Sequence, residues 1–390
     1  MAEFRLITNQ SIRSALALDI RSRKRLVQAA YRDLSRDHAV YKQYIPSAFE
    51  VALGVLKVHR RRLRSGKPTR GPFVKRLMLK AENQSYHLDR ESGLLDLPIR
   101  AGERVRIQLP ISNLHRSFLS DRSWGLGSLT LVPGKVVITI RKTLPHPFTP
   151  TSAIALDTNE DSLDAVLASE EDSVPTSVPL GGIRRIQQTH YRRRRKLAAK
   201  KVRDRRVMRR LLNREGRREG NRVRQRLHFV SKRVVRFAEK ASAAIVLEDL
   251  TLHGAGGRSR RMNRRLSSWP RREIHRQIEY KAALAGVPII KVNPAWTSKT
   301  CPVCGARRRD RVGPVFVCLM CDWEMDRQIN AGMNILKTAI ASNEALARAV
   351  RFQPGALRHD VVSPLYDLLR EGGGARDEPS GVESGIRIET

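Results

Sequence analysis

Four cysteines occur in the 390 residues, all between positions 301 and 321. Cys301 and Cys304, then Cys318 and Cys321, give the spacing C-x2-C-x13-C-x2-C. Each C-x2-C turn can aim two thiolates at one ion, and two such turns complete a tetrahedral set. Gly305 suits the tight turn after the first pair. Four thiolates leave no open position for water, so the expected metal is a structural Zn2+. It would supply folding energy to a segment too small to fold alone. The clustering argues for a reducing compartment, and against a disulfide framework or a lone redox pair.

A second chemistry is written in carboxylates. Asp157 ends the apolar run Ser152–Leu156, and Glu248 ends the apolar run Ala243–Leu247. Asp326 follows the second cysteine pair and opens a helical pattern over Gln328–Ile340. Strand ends in an α/β sheet converge on one edge, where open sheets place their sites. Three such carboxylates can hold two Mg2+ ions about 3.5–4 Å apart, with Mn2+ as a substitute. One ion would activate water, and the other would stabilise the leaving oxygen of a phosphodiester. Asp161, Asp164 and Asp249 are neighbouring acids with claims of their own, and any single acid after a buried strand is commonly a cap or a surface residue.

The charge balance says what such a site would meet. Lys and Arg number 75 against 38 Asp and Glu, a net charge of +37. At 41% hydrophobic and 29% charged residues, the chain can bury a core and still carry this excess. A polyanion is the implied partner, nucleic acid foremost. Most of the cations are Arg, which grips phosphate bidentately. Aromatics make up only 5%, which favours tracking of a phosphate backbone over base stacking. No apolar run is long enough for a transmembrane helix, and MAEFRLITNQ lacks the apolar core of a signal peptide. A cytoplasmic, nucleoid-associated protein of a prokaryote is expected.

These residues need elements to position them. Residues 12–66 read as helical, with Val27, Ala30, Tyr31 and Leu34 at helical spacing and a capping-box pattern at Ser47 and Glu50. Val105, Ile107, Leu109 and Ile111 alternate as in a half-buried strand, and Pro133-Gly134 between two apolar runs predicts a hairpin. From about residue 151, apolar runs alternate with helices, including one opened at Ser268 and Pro270 and closed by Gly286; this predicts an α/β domain with a mixed sheet. Between the Asp157 and Glu248 runs, residues 184–240 hold 24 Lys and Arg against 4 Asp and Glu. Val207, Leu211, Leu212, Val223, Leu227, Val230 and Val234 keep an apolar stripe through it, and Gly216 and Gly220 are expected to break it into a helical hairpin. Arg192, Arg193, Arg194, Arg195, Lys200, Lys201, Arg205 and Arg206 are the candidate nucleic-acid contacts. The segment 371–390 is expected to be disordered.

The blocks AIALDTNEDSL (153–163), IVLEDL (245–250), TSKTCPVCG (297–305) and CLMCDWEMDRQINAGMNI (318–335) resemble the signature blocks of TnpB. TnpB proteins are RNA-guided nucleases encoded by insertion sequences, related to type V CRISPR effectors. The resemblance covers 151–340 by motif and 1–150 by layout alone. It implies a multidomain α+β protein with a RuvC-like, RNase H-type α/β nuclease domain. The implied order is the start of a wedge domain (1–11), a helical recognition lobe (12–66) and a β-rich wedge (67–150). A nuclease domain (151–295) with a basic helical insert (184–240), a zinc ribbon (296–325), a RuvC-like C-terminal helix (326–352) and a tail (353–390) follow. Asp157, Glu248 and Asp326 match the catalytic, magnesium-binding carboxylates. Cys301, Cys304, Cys318 and Cys321 match the zinc ligands, and Arg327 and Asn330 match residues supporting the active site. One departure is Asp157-Thr-Asn159, where many relatives have Asp-x-Gly.

The resemblance thus implies a Mg2+-dependent, RNA-guided DNA endonuclease of insertion-sequence origin, with a guide RNA and target double-stranded DNA as partners. A miniature type V CRISPR effector, a non-cleaving RNA-guided repressor and a guide-independent nuclease or zinc-ribbon DNA-binding protein are the rival readings. Presence of all three carboxylates disfavours the repressor.

Overall fold

The computed structural model describes residues 1–200, 204–249, 259–308 and 313–354. The expected disorder of 371–390 lies outside them. After Thr143 the chain divides into two compact units.

The first unit opens with three helices, α1 (Ala2–Ala17), α2 (Arg23–Asp37) and α3 (Tyr44–Arg64). Phe4, Ile7, Ser11 and Ala15 recur on one face of α1 and are buried. This face corrects the expected start of the β-rich domain at 1–11, because α1 runs straight through that boundary. The capping box at Ser47 is also overturned. Helix α3 already begins at Tyr44, and the Ser47 hydroxyl donates back to the Gln43 carbonyl inside it.

Strands β1 (Leu79–Ala81), β2 (His87–Leu88), β3 (Leu94–Arg100) and β4 (Glu103–Gln108) follow, then α4 (Asn113–Ser120), β5 (Gly125–Val132) and β6 (Lys135–Arg141). They form two antiparallel sheets, in the orders β1-β5-β6 and β2-β3-β4. The Pro133-Gly134 turn joins β5 to β6 as expected, with Gly134 at φ 75°, where a side chain would be strained. The strand expected over Val105–Ile111 is shorter: β4 stops at Gln108, and Val105 faces solvent. Phe4, Leu26, Ile45, Phe49, Leu95 and Leu129 close one core between helices and strands.

The second unit is a five-stranded mixed sheet with helices on both faces. Strands β7 (Ser152–Thr158), β8 (Ser162–Ala168) and β9 (Ser173–Pro179) run as an antiparallel meander. The meander is followed by α5 (Ile183–Ala198), α6 (Arg205–Lys240) and β10 (Ala243–Glu248). Next come α7 (Arg260–Ser268), α8 (Arg271–Ala285) and β11 (Ile289–Val292). A short hairpin, β12 (Val315–Val317) and β13 (Glu324–Asp326), precedes α9 (Arg327–Ser342) and α10 (Glu344–Ala349). The sheet order is β11-β10-β7-β8-β9, with β7, β10 and β11 mutually parallel. The expected mixed α/β architecture is present.

Strand alternation sorts the sheet into two faces. Ile154, Leu156, Ile245 and Leu247 point to the core under α6 and α8, where Val223, Leu227, Val234 and Ile278 are buried. Ala153, Ala155, Val166, Ala244 and Val246 point to the other core, under Met333, Leu336 and Ala339 of α9. Small residues prevail on that second face. Gly332 lets α9 come close, since a Cβ there would lie 3.4 Å from the Val166 side chain.

The expected break at Gly216 and Gly220 does not occur. α6 runs unbroken through both; α5 ends at Ala198 and α6 begins at Arg205. A glycine costs a helix only about 1 kcal/mol, which the α5 contacts offset. His190 and Glu215 are buried between the two helices with Nδ1 and Oε1 2.7 Å apart, and Arg194 pairs with Glu219. The apolar stripe is buried only in its second half, from Val223 onward, while Val207 is exposed. Helix α8 opens after Pro270 and closes at Gly286 in the left-handed conformation, as the sequence predicts.

Candidate active site and metal centre

Asp157 is the next-to-last residue of β7 and Glu248 the last of β10. The parallel register pairs Leu156 with Leu247, so the two acids are the next step along neighbouring strands at their carboxyl ends. Alternation sends both toward the α9 face, as it does the preceding Ala155 and Val246. The structure therefore brings two of the three candidate carboxylates side by side. Burial and the Glu248 charge together push the Asp157 carboxyl up to about 7, and Asp164 adds to the rise. The Arg327 charge acts on Asp157 in the opposite sense. It is supplied by the first residue of α9.

Glu248 is 7% exposed and accepts a hydrogen bond from the Thr297 hydroxyl at 2.6 Å. Thr297 is placed by α9. The Asn334 amide donates to the carbonyls of Thr297 at 2.9 Å and Thr300 at 2.7 Å, and the Asn330 amide donates to Thr300 at 3.1 Å. Asn330 is fully buried, and among the described residues its Oδ1 has no hydrogen-bond partner. Its place is therefore that of a tether for the loop before the cysteines.

Asp326 ends β13 and is exposed. Its Oδ1 accepts from the backbone N–H groups of Gln328 and Ile329, capping α9. Both cap bonds fall on Oδ1. The three carboxylates do not all approach within 4.8 Å of one another, whereas the four cysteine sulfurs do. Arg327 also donates from Nη1 to the Gly313 carbonyl at 3.0 Å, tying the start of α9 to the β12 turn.

Asp164, a rival acid in the sequence, lies directly across from Asp157 in the β7–β8 pairing and is 5% exposed. Asn159 stands between them and donates from Nδ2 to Asp157 at 3.0 Å and to Asp164 at 2.8 Å. The turn holding Asn159 is held from outside by the Trp269 indole N–H, 3.0 Å from the Asn159 carbonyl, and by Arg265 on Glu160. On the opposite face, Thr158 and His275 share a buried hydrogen bond of 2.8 Å. Burial holds His275 down to about 4, so it is neutral at pH 7. Sequence reading missed Thr297 and Asn334, although both lie within blocks already singled out.

The sulfurs of Cys301 and Cys321 lie 3.7 Å apart and those of Cys304 and Cys318 3.5 Å apart. A tetrahedral ion with metal–sulfur bonds of about 2.3 Å separates its ligand sulfurs by about 3.8 Å. The four cysteines fit a metal ion of that size, and Gly305 takes φ 77° with its N–H on the Cys301 carbonyl.

Of the candidate nucleic-acid contacts, Arg192, Arg193, Arg195, Lys200, Arg205 and Arg206 are exposed. Arg194 is committed to Glu219 of α6, and Arg193 also reaches Glu215 at 3.7 Å. Lys201 lies outside the described residues. Among the described residues no helix is long and apolar enough to cross a membrane.

Known proteins place this geometry in context. The family model of the Cas12f1-like TNB domain matches residues 272–335, from α8 through the cysteines into α9. A TnpB-like protein of Methanocaldococcus jannaschii is 26% identical over 240 residues, spanning 60% of this chain and 86% of that protein. The CRISPR-associated endodeoxyribonuclease Cas12f1 of Sulfoacidibacillus thermotolerans is 33% identical over 112 residues, 28% of this chain and 25% of its own. The structure of a Cas12f1–sgRNA–target DNA complex is similar in fold, with a TM-score of 0.56 at 15% identity, covering 86% of this chain and 80% of that one.

Proposed function

The chain belongs to the TnpB and type V effector family, and from that premise we propose that it is an RNA-guided DNA endonuclease of insertion-sequence origin. It hydrolyses phosphodiesters of DNA matched to a guide RNA, beside a short duplex motif, in a RuvC-like domain. The observation that carries this reading is the Asp157–Glu248 pair, side by side at the carboxyl ends of β7 and β10.

The donor set fits Mg2+. Hard oxygen ligands select it, and Mg2+ characteristically takes one or two carboxylates and completes its shell with water and substrate phosphate. The neighbouring Glu248 charge raises the proton affinity of Asp157, so a divalent cation held between the two carboxylates would be favoured. Asp157 and Glu248 would hold the ion, with Asp326 contributing from the start of α9. When bound, the metal supplies activation of water and stabilisation of the leaving oxygen. The protein's own part is positional. Thr297 orients Glu248, Asn159 orients Asp157, and Arg327 brings a cation to the same edge.

The four cysteines would hold a structural Zn2+ that folds the segment between β11 and α9. The basic α5–α6 hairpin would grip the phosphates of an RNA–DNA duplex, with base pairing choosing the sequence. The test is expression with the native flanking DNA, sequencing of bound RNA, and Mg2+-dependent cleavage of a matching plasmid. Bound RNA and guide-matched cleavage are expected, with loss of cleavage in Asp157→Ala and Glu248→Ala. Cleavage that survives either substitution overturns the assigned site.

A further inference from the structure

Asp164 is costly where it stands. It is 5% exposed, directly opposite another carboxylate in an antiparallel pairing, a position where like charges destabilise a sheet. A buried carboxylate needs a partner charge or a full set of donors. Among the described residues its donors are neutral: Asn159 Nδ2 at 2.8 Å and the Ser162 hydroxyl at 2.6 Å on Oδ2, and the Ser177 hydroxyl at 2.5 Å on Oδ1. These donors come from β8, from β9 and from the turn after β7, so the acid is built into the sheet and not left over at its rim.

The cost falls on one side chain with a second role. Asn159 Nδ2 carries two N–H bonds, and each is directed at one carboxylate, Asp164 and Asp157. An amide free to rotate could present its oxygen to Asp157 instead, which would repel the carboxylate. With Asp164 accepting from the same nitrogen, only the donating orientation places a proton toward both acids.

We propose that Asp164 is a positioning residue that acts through Asn159, locking the amide so that it holds one oxygen of Asp157 and leaves the other directed for a divalent cation. This inference rests on the proposed Asp157–Glu248 metal site and deepens it. Asp164 itself holds no metal in this scheme. It matters because of the orientation it imposes two bonds away, as partners behind a ligand commonly do.

The test is a titration of Mn2+ into the zinc-loaded full chain, followed by electron paramagnetic resonance of free Mn2+, with thermal melting of each variant. Asp157→Ala, Asp164→Asn, Asn159→Ala and the Asp164→Asn/Asn159→Ala double variant are compared with the parent chain. Asp157→Ala is expected to abolish the tight site. Asp164→Asn and Asn159→Ala are each expected to weaken it about tenfold. The double variant should be no weaker than either single one, because the two act in series. Unchanged Mn2+ affinity in Asp164→Asn, while Asp157→Ala abolishes binding, overturns this inference and leaves the proposed site standing. Additive losses in the double variant overturn action through Asn159. Absence of an Asp157-dependent Mn2+ site in the parent chain overturns both readings together.

Discussion

The Thr297 hydroxyl donates to the Glu248 carboxylate at 2.6 Å, and Thr297 is itself fixed by the Asn334 amide of α9 on its carbonyl. A carboxylate at a strand end is thus oriented by a helix some 80 residues further along the chain. Removing the hydroxyl at nearly constant volume isolates this effect. Thr297→Val should lower the rate of plasmid cleavage roughly 10–100-fold, while the melting temperature changes little. Cleavage kinetics under saturating Mg2+, read beside a thermal melt, check it. An unchanged rate would mean that the contact is only structural.

The cysteine cluster should behave as a folding element. Chelation of the metal is expected to unfold the segment around residues 297–325, since Cys301 and Cys318 are buried there in a small cluster with Phe316, flanked by Ala306 and Trp323. Amide hydrogen exchange should rise across that segment and much less in β7 and β10. A Cys301→Ser/Cys304→Ser double variant should melt at a lower temperature and lose cleavage. Unchanged melting and full activity would contradict a structural metal. Because Thr297 and Thr300 tie this segment to α9, loss of the metal should also reduce the order around Glu248.

Much of the second unit is legible in the chain, for reasons that are local. Ile154 and Leu156, or Val246 and Leu247, declare buried strands because both sheet faces are covered, and a carboxylate after each run marks the edge. Strands β8 and β9 escape the same reading. Glu170, Glu171 and Asp172 interrupt the pattern at their turn, and Pro175 and Pro179 argue against a strand. Proline is tolerated in β9 because that strand lies at the edge of the sheet. Gly216 and Gly220 mislead for a tertiary reason: pairing of Glu215 and Glu219 with α5 holds the helix through them. Asp164 shows the same limit at the site. Nothing in its neighbourhood along the chain distinguishes it from Asp161, and only strand pairing sets it opposite Asp157.

His275 predicts a pH dependence of stability. It is 8% exposed, and burial holds its folded pKa down to about 4, against an ordinary value near 6.5. Between those values the unfolded chain binds the proton and the folded chain does not, so acid favours unfolding. The contribution is fully present above pH 6.5 and is lost as pH falls toward 4. The expected loss is on the order of 1–3 kcal/mol. Denaturant melts of parent and His275→Gln at several pH values check it: the variant's curve should be flatter between pH 4 and 6.5. Parallel curves would mean that His275 titrates normally.

The α5–α6 hairpin separates two kinds of arginine that the sequence presents as one run. Arg192 and Arg195 face solvent on α5, whereas Arg194 is paired with Glu219 across the hairpin. An exposed arginine that contacts phosphate contributes through release of counterions, so its removal weakens binding and flattens the salt dependence. Arg192→Ala and Arg195→Ala should each reduce the slope of log affinity against log salt for an RNA–DNA duplex by up to ~0.9. Melting should not change. Arg194→Ala should instead lower stability by on the order of 1 kcal/mol, because it leaves the partly buried Glu219 without its cation, and it should change the salt slope least. Fluorescence anisotropy with a labelled duplex at several salt concentrations distinguishes the two roles. If Arg194→Ala produced the largest change in slope, it would be Arg194, and not its exposed neighbours, that meets the phosphates.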